Sequence, residues 1–354
     1  MIDQKLRYQI DKGGVNRLLS LLVLTGLLAL SACKTGDKTQ SQTEYQYQGR
    51  TMGTSFHITA LGSDEISGQG IDSILDLLNT VFSTYDTSSF ISYMNNGTLG
   101  VWRSSKGEQF YNVCESHFSK VFGMSQGVYL RTEGAFDPSG APLFNLWGFA
   151  ESERRSPTPL ELDSIMNFVG LDKFYFEERN FSNPLPGFSL NFNAIAKGYA
   201  VDVVSMFLMV SGYSDFMVEI GGEVFALGHN AQGNDWIIGI NEPSIGSEAN
   251  SLIDTVHVSG GSIATSGNYR NFYKDSTGKV IGHTIDPRTG RPAMTDLLSV
   301  TIKHPSCAIA DAYATAAMTA GSMMLRSWVS KDTLLQAVVV LDSSGNSVVE
   351  RLGY

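Results

Sequence analysis

A carboxylate and a hydroxyl lie one helical turn apart in a small and apolar segment, Ala308 to Gly321. Residues four apart in a helix lie above one another, so Asp311 and Thr315 are predicted to point from one face to one place. Such a pair suits Mg²⁺, which prefers oxygen ligands and completes its octahedron with water and phosphate oxygens. The alternative is a buried helix in which Thr315 bonds to its own backbone and Asp311 caps or pairs elsewhere. The motifs described next favour the metal site.

Polar side chains and then a lysine stand at the start of a second predicted helix, in the segment Asn191 to Tyr199. The unpaired backbone groups of a helix N-terminus, with Lys197 in the first turn, favour phosphate oxygens. The segment lacks the Walker and Rossmann glycine patterns. A capped helix with a solvated lysine is therefore the alternative.

Three further segments are rich in turn-forming residues. Gly134 to Pro138 and Pro142 to Phe149 combine glycine, proline and aromatics, which predicts loops that wall a pocket for a flat ring, or else an aromatic turn packed on the core. The run Gly282 to Pro292 predicts a β-turn with solvated charges. The alternative is a functional loop, in which His283 would transfer a proton or stabilise a developing charge.

The elements that must position these residues alternate between helical and strand periodicity. Apolar residues recur at helical spacing in Ile71–Phe82, and short strands follow, with Gly221-Gly222 predicting a turn between Phe216–Ile220 and Glu223–Leu227. There is no regular βαβ alternation, so the fold class is α+β, with helices and an antiparallel sheet mixed in one unit over residues 45–354. The other predicted helices are Tyr111–Met124, Pro159–Phe168 with Thr158 as its cap, and Ile195–Val210, and Gln336–Asp342 with Ser347–Val349 form a closing hairpin.

Composition excludes several classes of function. The chain has 354 residues, 42% of them hydrophobic and 17% charged, which is typical of a globular protein. The formal net charge of -10, without a long Lys/Arg run, argues against a nucleic-acid partner. Cys114 and Cys307 are expected to be buried free thiols, and no Cys/His cluster has the spacing of a zinc site.

The first residues predict export. Basic residues precede an apolar segment, Leu18 to Leu30, that is too short to span a bilayer, so residues 1–32 are predicted to be a signal peptide. The tetrapeptide Leu30 to Cys33 is similar to a bacterial lipobox, in which Cys33 would carry the lipid anchor; an ordinary signal peptide with an incidental cysteine is the alternative. Residues 33–44, which are mostly polar, predict a flexible tether.

Taken together, the motifs of the chain resemble those of the ApbE family, the FAD:protein FMN transferases. The resemblance runs from Met52 to Thr315, and the motifs occur in the family's order. It implies a fold of the ApbE, T-fold-like type, and an enzyme that binds FAD and Mg²⁺, transfers FMN to a Thr or Ser of another protein through a phosphoester bond, and releases AMP. The matching motifs are Met52-Gly-Thr, Phe82-Ser-Thr-Tyr, Ala135-Phe-Asp, Pro142-Leu-Phe-Asn-Leu-Trp-Gly-Phe, Ala194-Ile-Ala-Lys-Gly-Tyr-Ala-Val-Asp, Glu219-Ile-Gly-Gly-Glu, Thr265-Ser-Gly-Asn-Tyr, His283-Thr-Ile-Asp-Pro-Arg-Thr-Gly-Arg-Pro and Ala310-Asp-Ala-Tyr-Ala-Thr.

The resemblance also implies roles for single residues. The backbone oxygen of Ala194, with Asp311 and Thr315, would hold the metal, and either His283 or Asp311 would accept the proton of the attacking hydroxyl. Two positions depart from the family pattern, since Asn191 and Glu223 stand where Asp is common. The residues implied to line the FAD site are Met52, Tyr85, Ala135, Phe136, Asp137, Asn191, Lys197 and Ile285.

Other activities and the biological setting follow as expectations. An FAD pyrophosphatase that gives FMN and AMP would use the same site with water as the acceptor, and a lipoprotein that only binds FAD would turn nothing over. The expected partner is an FMN-binding-domain protein, such as an NqrC-like or RnfG-like subunit of a Na⁺-pumping NADH:quinone oxidoreductase or an Rnf complex. The expected location is the bacterial cell envelope, facing the periplasm, and Lys34 after Cys33 favours the outer over the inner membrane.

Overall fold

The computed structural model describes residues 43–354 with several gaps. For residues 175–177, 180–182, 272–274 and 280–282 it describes only the backbone. The predicted signal peptide, Cys33, the tether up to residue 42 and His283 lie outside the described residues. In the part of the chain that is described, every helix is too short or too polar to cross a bilayer. The described ranges are 43–149, 154–177, 180–182, 187–243, 251–267, 272–274, 280–282, 284–343 and 346–354.

An antiparallel sheet forms the centre of the fold. Within the described ranges it has eight strands in the order β1-β2-β5-β6-β9-β14-β15-β16. These strands are Thr43–Thr51 (β1), Thr54–Gly62 (β2), Asp215–Ile220 (β5), Glu223–Leu227 (β6), Gly260–Gly267 (β9), Leu297–His304 (β14), Gln336–Ser343 (β15) and Asn346–Leu352 (β16). The remaining strands pair as Tyr175–Glu177 (β3) with Asn180–Ser182 (β4), Trp236–Asn241 (β7) with Leu252–Val258 (β8), Phe272–Lys274 (β10) with Val280–Gly282 (β11), and Ile285–Asp286 (β12) with Arg291–Pro292 (β13).

The observed helices confirm most of the helices that were predicted from hydrophobic periodicity. The predicted segment Tyr111–Met124 lies inside a longer helix, and Thr158 caps its helix as predicted, in a capping box with Glu161. The closing hairpin and the turn at Gly221-Gly222 are also confirmed, as is the α+β class. The helices are Gly68–Phe82 (α1), Phe90–Asn95 (α2), Leu99–Lys106 (α3), Glu108–Arg131 (α4), Ala141–Leu146 (α5), Pro159–Met166 (α6), Ala196–Val210 (α7), Cys307–Ala320 (α8) and Ser322–Lys331 (α9).

The prediction of a loop over residues 142–149 is wrong for its first half, which forms α5. Pro142 occupies the first turn of this helix, where its missing N–H has no helical partner to lose. Leu143 is buried and holds the short helix against its neighbours. The helix α9 was not predicted either, although its buried residues Leu325 and Trp328 have helical spacing.

The sheet is covered on both faces, which is why neighbouring residues of one strand enter different cores. Ala264 of β9 belongs to the main apolar core, which lies against helices α1, α4, α7 and α8. The adjacent Ile263 belongs to a smaller core under the β7–β8 hairpin, together with Trp236. The helix α7 packs on β5 and β6, and α8 packs on β9 and β14, so the two helices lie side by side on one face of the sheet.

Candidate functional site

The site is built where α7 crosses α8, and a glycine permits the contact. A Cβ added at Gly198 would lie 2.3 Å from the carbonyl oxygen of Cys307 and 2.8 Å from the Cα of Ala308, a distance at which backbone atoms must move. The close approach brings the Gly198 N–H to the carboxylate of Asp311, to which it donates a hydrogen bond at 3.2 Å. Residues from two distant segments thus meet at one point.

The Ala194 carbonyl lies two residues before α7 begins, outside the hydrogen-bond ladder of the helix. The N–H of Gly198, four residues further on, donates to Asp311. Among the described residues no hydrogen bond to the Ala194 carbonyl is found, and none is made by the hydroxyl of Thr315. Asp311 and Thr315 both lie in α8, one turn apart as predicted, with Asp311 only 3% exposed. Three oxygen groups are therefore available for a cation.

A lysine and a second carboxylate adjoin Asp311. The Nζ of Lys197 lies 3.7 Å from Oδ2 of Asp311 and 3.4 Å from Oε1 of Glu223, and it donates to the carbonyl of Asn193 at 3.3 Å. Its side chain is 25% exposed, whereas that of Glu223 is 5% exposed. The second oxygen of Glu223, Oε2, is buried and has no hydrogen-bond partner.

Burial sets the protonation of this cluster. Desolvation raises the pKa of Glu223 to about 8, although the ammonium of Lys197 lowers it. Desolvation also raises the pKa of Asp311, against the opposing effects of Lys197 and the Gly198 N–H. The same burial would lower the pKa of Lys197, but the two carboxylates outweigh it and raise that pKa, so the lysine stays charged. The Asp311 carboxylate already lies next to one positive charge, that of Lys197, and a metal cation could occupy a similar position beside it.

Two strand turns close the site beside Lys197. The β1–β2 turn contains Met52 and Gly53, both with positive φ (47° and 75°), a conformation that is costly for methionine. The β5–β6 turn approaches it, since the Gly221 N–H donates to the carbonyl of Ser55 at 3.1 Å. A Cβ on Gly221 would lie 3.4 Å from Cδ of Lys197, so the lysine passes directly over this turn.

The carboxylate of Asp137 accepts its hydrogen bonds from protein groups in and near its own loop. One carboxylate oxygen accepts hydrogen bonds from the N–H and the hydroxyl of Ser139, at 2.8 and 2.6 Å, and the other accepts from the N–H of Leu171 at 3.3 Å. Burial raises its pKa to about 6 despite these donors. The adjacent Ala135 and Phe136 are 1% and 2% exposed and belong to the main core. Side chains of this segment therefore support the loop and leave mainly its backbone for a ligand.

The other residues implied to line the FAD site, Asn191, Ile285 and Tyr85, belong to separate segments of the chain. The Asn191 N–H donates to the carbonyl of Pro138 at 2.8 Å, which joins the start of α7 to the Asp137 loop. Ile285 is 5% exposed, packs with Trp147 in a third apolar cluster, and belongs to β12, which contacts α8. Tyr85 is 75% exposed between α1 and α2.

Three residues that shape the site, Gly198, Asp202 and Glu223, stand in the quoted motifs but were assigned no role in the site from sequence. Glu223 was noted only as a departure from the family pattern. A signal for the other two exists, because Gly198 and Asp202 are four residues apart and so share the helix face that meets α8. No group of three or more His, Cys, Asp or Glu side chains in the described ranges has the arrangement of a metal centre. A cation at this site would therefore depend on backbone and hydroxyl oxygens too.

Comparison with known proteins finds relatives over most of the chain. The sequence model of the ApbE family matches residues 52–339. A protein of Vibrio cholerae serotype O1 named FAD:protein FMN transferase is 33% identical over 308 residues, which cover 85% of this chain and 87% of the relative. A Haemophilus influenzae protein with the same name is 30% identical over 346 residues, covering 94% and 95%. The solved structure of the flavin transferase ApbE from Vibrio cholerae superposes with a TM-score of 0.72 at 28% identity, covering 88% of this chain and 97% of that chain.

Proposed function

This chain belongs to the ApbE family, and from that premise we propose that it is a Mg²⁺-dependent FAD:protein FMN transferase. It would attach FMN through a phosphoester bond to a Thr or Ser of a target protein and release AMP. The observation that carries the proposal is the α7–α8 contact, where the Gly198 N–H donates to Asp311, while within the described ranges neither the Ala194 carbonyl nor the Thr315 hydroxyl has a hydrogen-bond partner.

The donor set fits magnesium. All three groups are oxygens, and Mg²⁺ is commonly bound by one or two carboxylates together with water and substrate phosphate. The ion would be held by Asp311, Thr315 and the Ala194 carbonyl. When bound, it would neutralise charge that develops on the diphosphate oxygens of FAD.

Lys197 would bind the phosphates. Its ammonium lies between Glu223 and Asp311 and is partly exposed, so it can turn toward an anion without first being uncovered. Positive groups fixed at the phosphates supply most of the catalysis in phosphoryl transfer, where little covalent chemistry is required of the protein.

The transfer forms one bond and breaks another. The hydroxyl oxygen of the acceptor bonds to the phosphorus of the FMN half, the bond from that phosphorus to the bridging oxygen breaks, and AMP leaves with the bridging oxygen. The hydroxyl proton goes to a base. Asp311 already accepts from Gly198 and lies beside Lys197, contacts that favour a metal ligand over a base. His283, which lies outside the described residues, is then the candidate base.

The setting that we propose rests on sequence. The lipobox-like segment ending at Cys33 supports a lipid anchor, and with it a periplasm-facing position in the cell envelope. The acceptor would be an FMN-binding-domain protein, NqrC-like or RnfG-like, because such proteins carry FMN on a Thr or Ser in the activity proposed here.

The proposal is tested by incubating the purified protein with FAD, Mg²⁺ and an FMN-binding-domain protein, and measuring AMP and the intact mass of the acceptor. A transferase adds the mass of one FMN unit to the acceptor and releases one AMP for each addition. AMP and free FMN without a mass change would identify a pyrophosphatase. Flavin binding without AMP would identify a protein that only carries FAD.

A further inference from the structure

Asp202 of α7 accepts hydrogen bonds from the first turn of α8. Its Oδ1 accepts a hydrogen bond from the N–H of Cys307 at 2.7 Å, and its Oδ2 accepts from the N–H of Ala308 at 3.0 Å and from the hydroxyl of Ser306 at 2.7 Å. The first N–H groups of a helix have no partner within the helix, and a carboxylate there also meets the positive end of the helix dipole. The contact joins two helices that are about a hundred residues apart in sequence.

Capping alone does not require this carboxylate. The hydroxyl of Ser306 already caps α8 by accepting from the N–H of Ile309 at 3.4 Å. Asp202 supplies further acceptors from a different helix, so its hydrogen bonds also fix where α8 lies along α7. A capping residue that belonged to α8 itself would not fix the position of α8 along α7.

The Asp202 contact and the metal ligands follow one spacing. Asp202 is hydrogen-bonded to Cys307, and Gly198, one turn earlier in α7, is hydrogen-bonded to Asp311, one turn later in α8. The two helices are therefore antiparallel at this contact. In sequence, Ala194 stands four residues before Gly198, just ahead of α7, and Thr315 stands four residues after Asp311 in α8. The residues at this spacing are Asp202, Gly198 and Ala194 on one side, and Cys307, Asp311 and Thr315 on the other.

We propose that Asp202 is a positioning residue for the metal site, which sets the register of α7 against α8 and hence the separation of the metal ligands. This inference rests on the proposed function, since it concerns the same ion. Asp202 would touch neither the ion nor FAD. It would act through the Gly198 N–H, which orients the carboxylate of Asp311.

The test is Mn²⁺ binding by the Asp202→Asn variant, measured from the loss of the free-ion paramagnetic resonance signal with and without FAD. Mn²⁺ is a suitable probe because oxygen sites that take Mg²⁺ also take Mn²⁺. The amide keeps the size of the side chain but turns one acceptor into a donor that faces donors. We expect affinity to fall by about 10-fold to 100-fold, as for outer partners of metal ligands.

Asp296→Asn is the matched control. Asp296 accepts from the N–H and hydroxyl of Ser322 at the start of α9, so it makes the same kind of contact without joining α7 to α8. We expect both variants to lower the midpoint of thermal unfolding, and only Asp202→Asn to lose Mn²⁺ affinity. Equal affinity in Asp202→Asn and wild type, or equal losses in both variants, would overturn the positioning role.

Ser306→Ala decides the question if Asp202→Asn does not fold. It removes one of the three donors to Asp202, together with the serine cap of α8, and leaves the carboxylate in place. Mn²⁺ affinity should therefore fall by less than about 10-fold, below the loss in Asp202→Asn. Wild-type affinity in this variant would then overturn the inference. If the wild-type protein itself bound no Mn²⁺, the metal site of the proposed function would fail and this inference with it, a result distinct from a failure confined to the variants.

Discussion

Two aspartates, the partly buried Asp137 and the buried Asp311, differ in how their oxygens are used. Asp137 accepts three hydrogen bonds from its own loop and from Leu171, so its carboxylate is satisfied by protein. Asp311 accepts one hydrogen bond, from Gly198, and lies near the ammonium of Lys197. Burial raises the pKa of both carboxyl groups. A raised pKa therefore does not separate a structural carboxylate from the proposed metal ligand, whereas the number of protein donors does.

The largest effect is expected at the less satisfied carboxylate. Asp311→Asn keeps an acceptor for the Gly198 N–H but removes the charge that binds a cation, and Lys197 keeps Glu223 as its partner. We expect FMN transfer to fall by more than about 100-fold, since even outer partners of metal ligands cost up to that much. Acceptor mass and AMP release measure it, with circular dichroism as the control for folding. Full activity in this variant would rule out Asp311 as a metal ligand.

The second prediction breaks the helix crossing itself. Gly198→Ala places a Cβ against the Cys307 carbonyl, so α7 and α8 must separate. We expect a loss of about 1–3 kcal/mol in the free energy of unfolding, the usual cost of overpacking, together with weaker Mn²⁺ binding. Urea denaturation measures the first and paramagnetic resonance the second.

A glycine in another helix provides the matched control. A Cβ at Gly123 of α4 would meet nothing within 4 Å, so Gly123→Ala adds a methyl group without a clash. Its helix propensity should raise stability by up to about 1 kcal/mol. If the two variants changed stability in the same direction, close approach would not be the reason for glycine at residue 198.

Local spacing in the sequence predicts part of the site, and the rest depends on the meeting of distant segments. The helical period alone places Asp311 and Thr315 on one face of a helix, and α8 confirms it. The partners of Asp311 come from α7, which is far from it in sequence. Glu223 of β6 pairs with Lys197, and no local pattern indicates that its side chain enters the site. The direction of the Asp137 carboxylate likewise depends on Leu171, a residue of another segment.

The third prediction concerns the pH dependence of the free energy of unfolding that comes from the ionisation of Glu223. The pKa of Glu223 is raised from an ordinary value near 4.5 to about 8, so the folded state holds a proton that the unfolded state has released. The stability that this proton contributes is fully present below about pH 4.5 and is lost as pH rises through about 8. Glu223→Gln should remove this dependence.

The difference between wild type and Glu223→Gln is measured by urea unfolding at several pH values in the presence of a chelator. Between about pH 5 and 8, the wild-type free energy of unfolding should fall more steeply than that of the variant, by at most about 1.4 kcal/mol for each pH unit. Parallel pH curves would show that Glu223 is ionised alongside Lys197 throughout the range.

The smallest effect on metal binding is expected at Asp137. In Asp137→Asn an amide NH₂ faces either the donors of Ser139 or the N–H of Leu171, so at least one buried donor loses its acceptor. We expect a loss of about 1–3 kcal/mol in the free energy of unfolding, with Mn²⁺ affinity within about twofold of wild type, because the substituted group supports only its loop. Urea denaturation and paramagnetic resonance give the two values. A variant of wild-type stability that no longer bound Mn²⁺ or FAD would place the Asp137 side chain on the ligand, and saturation by protein donors would then no longer distinguish the two aspartates.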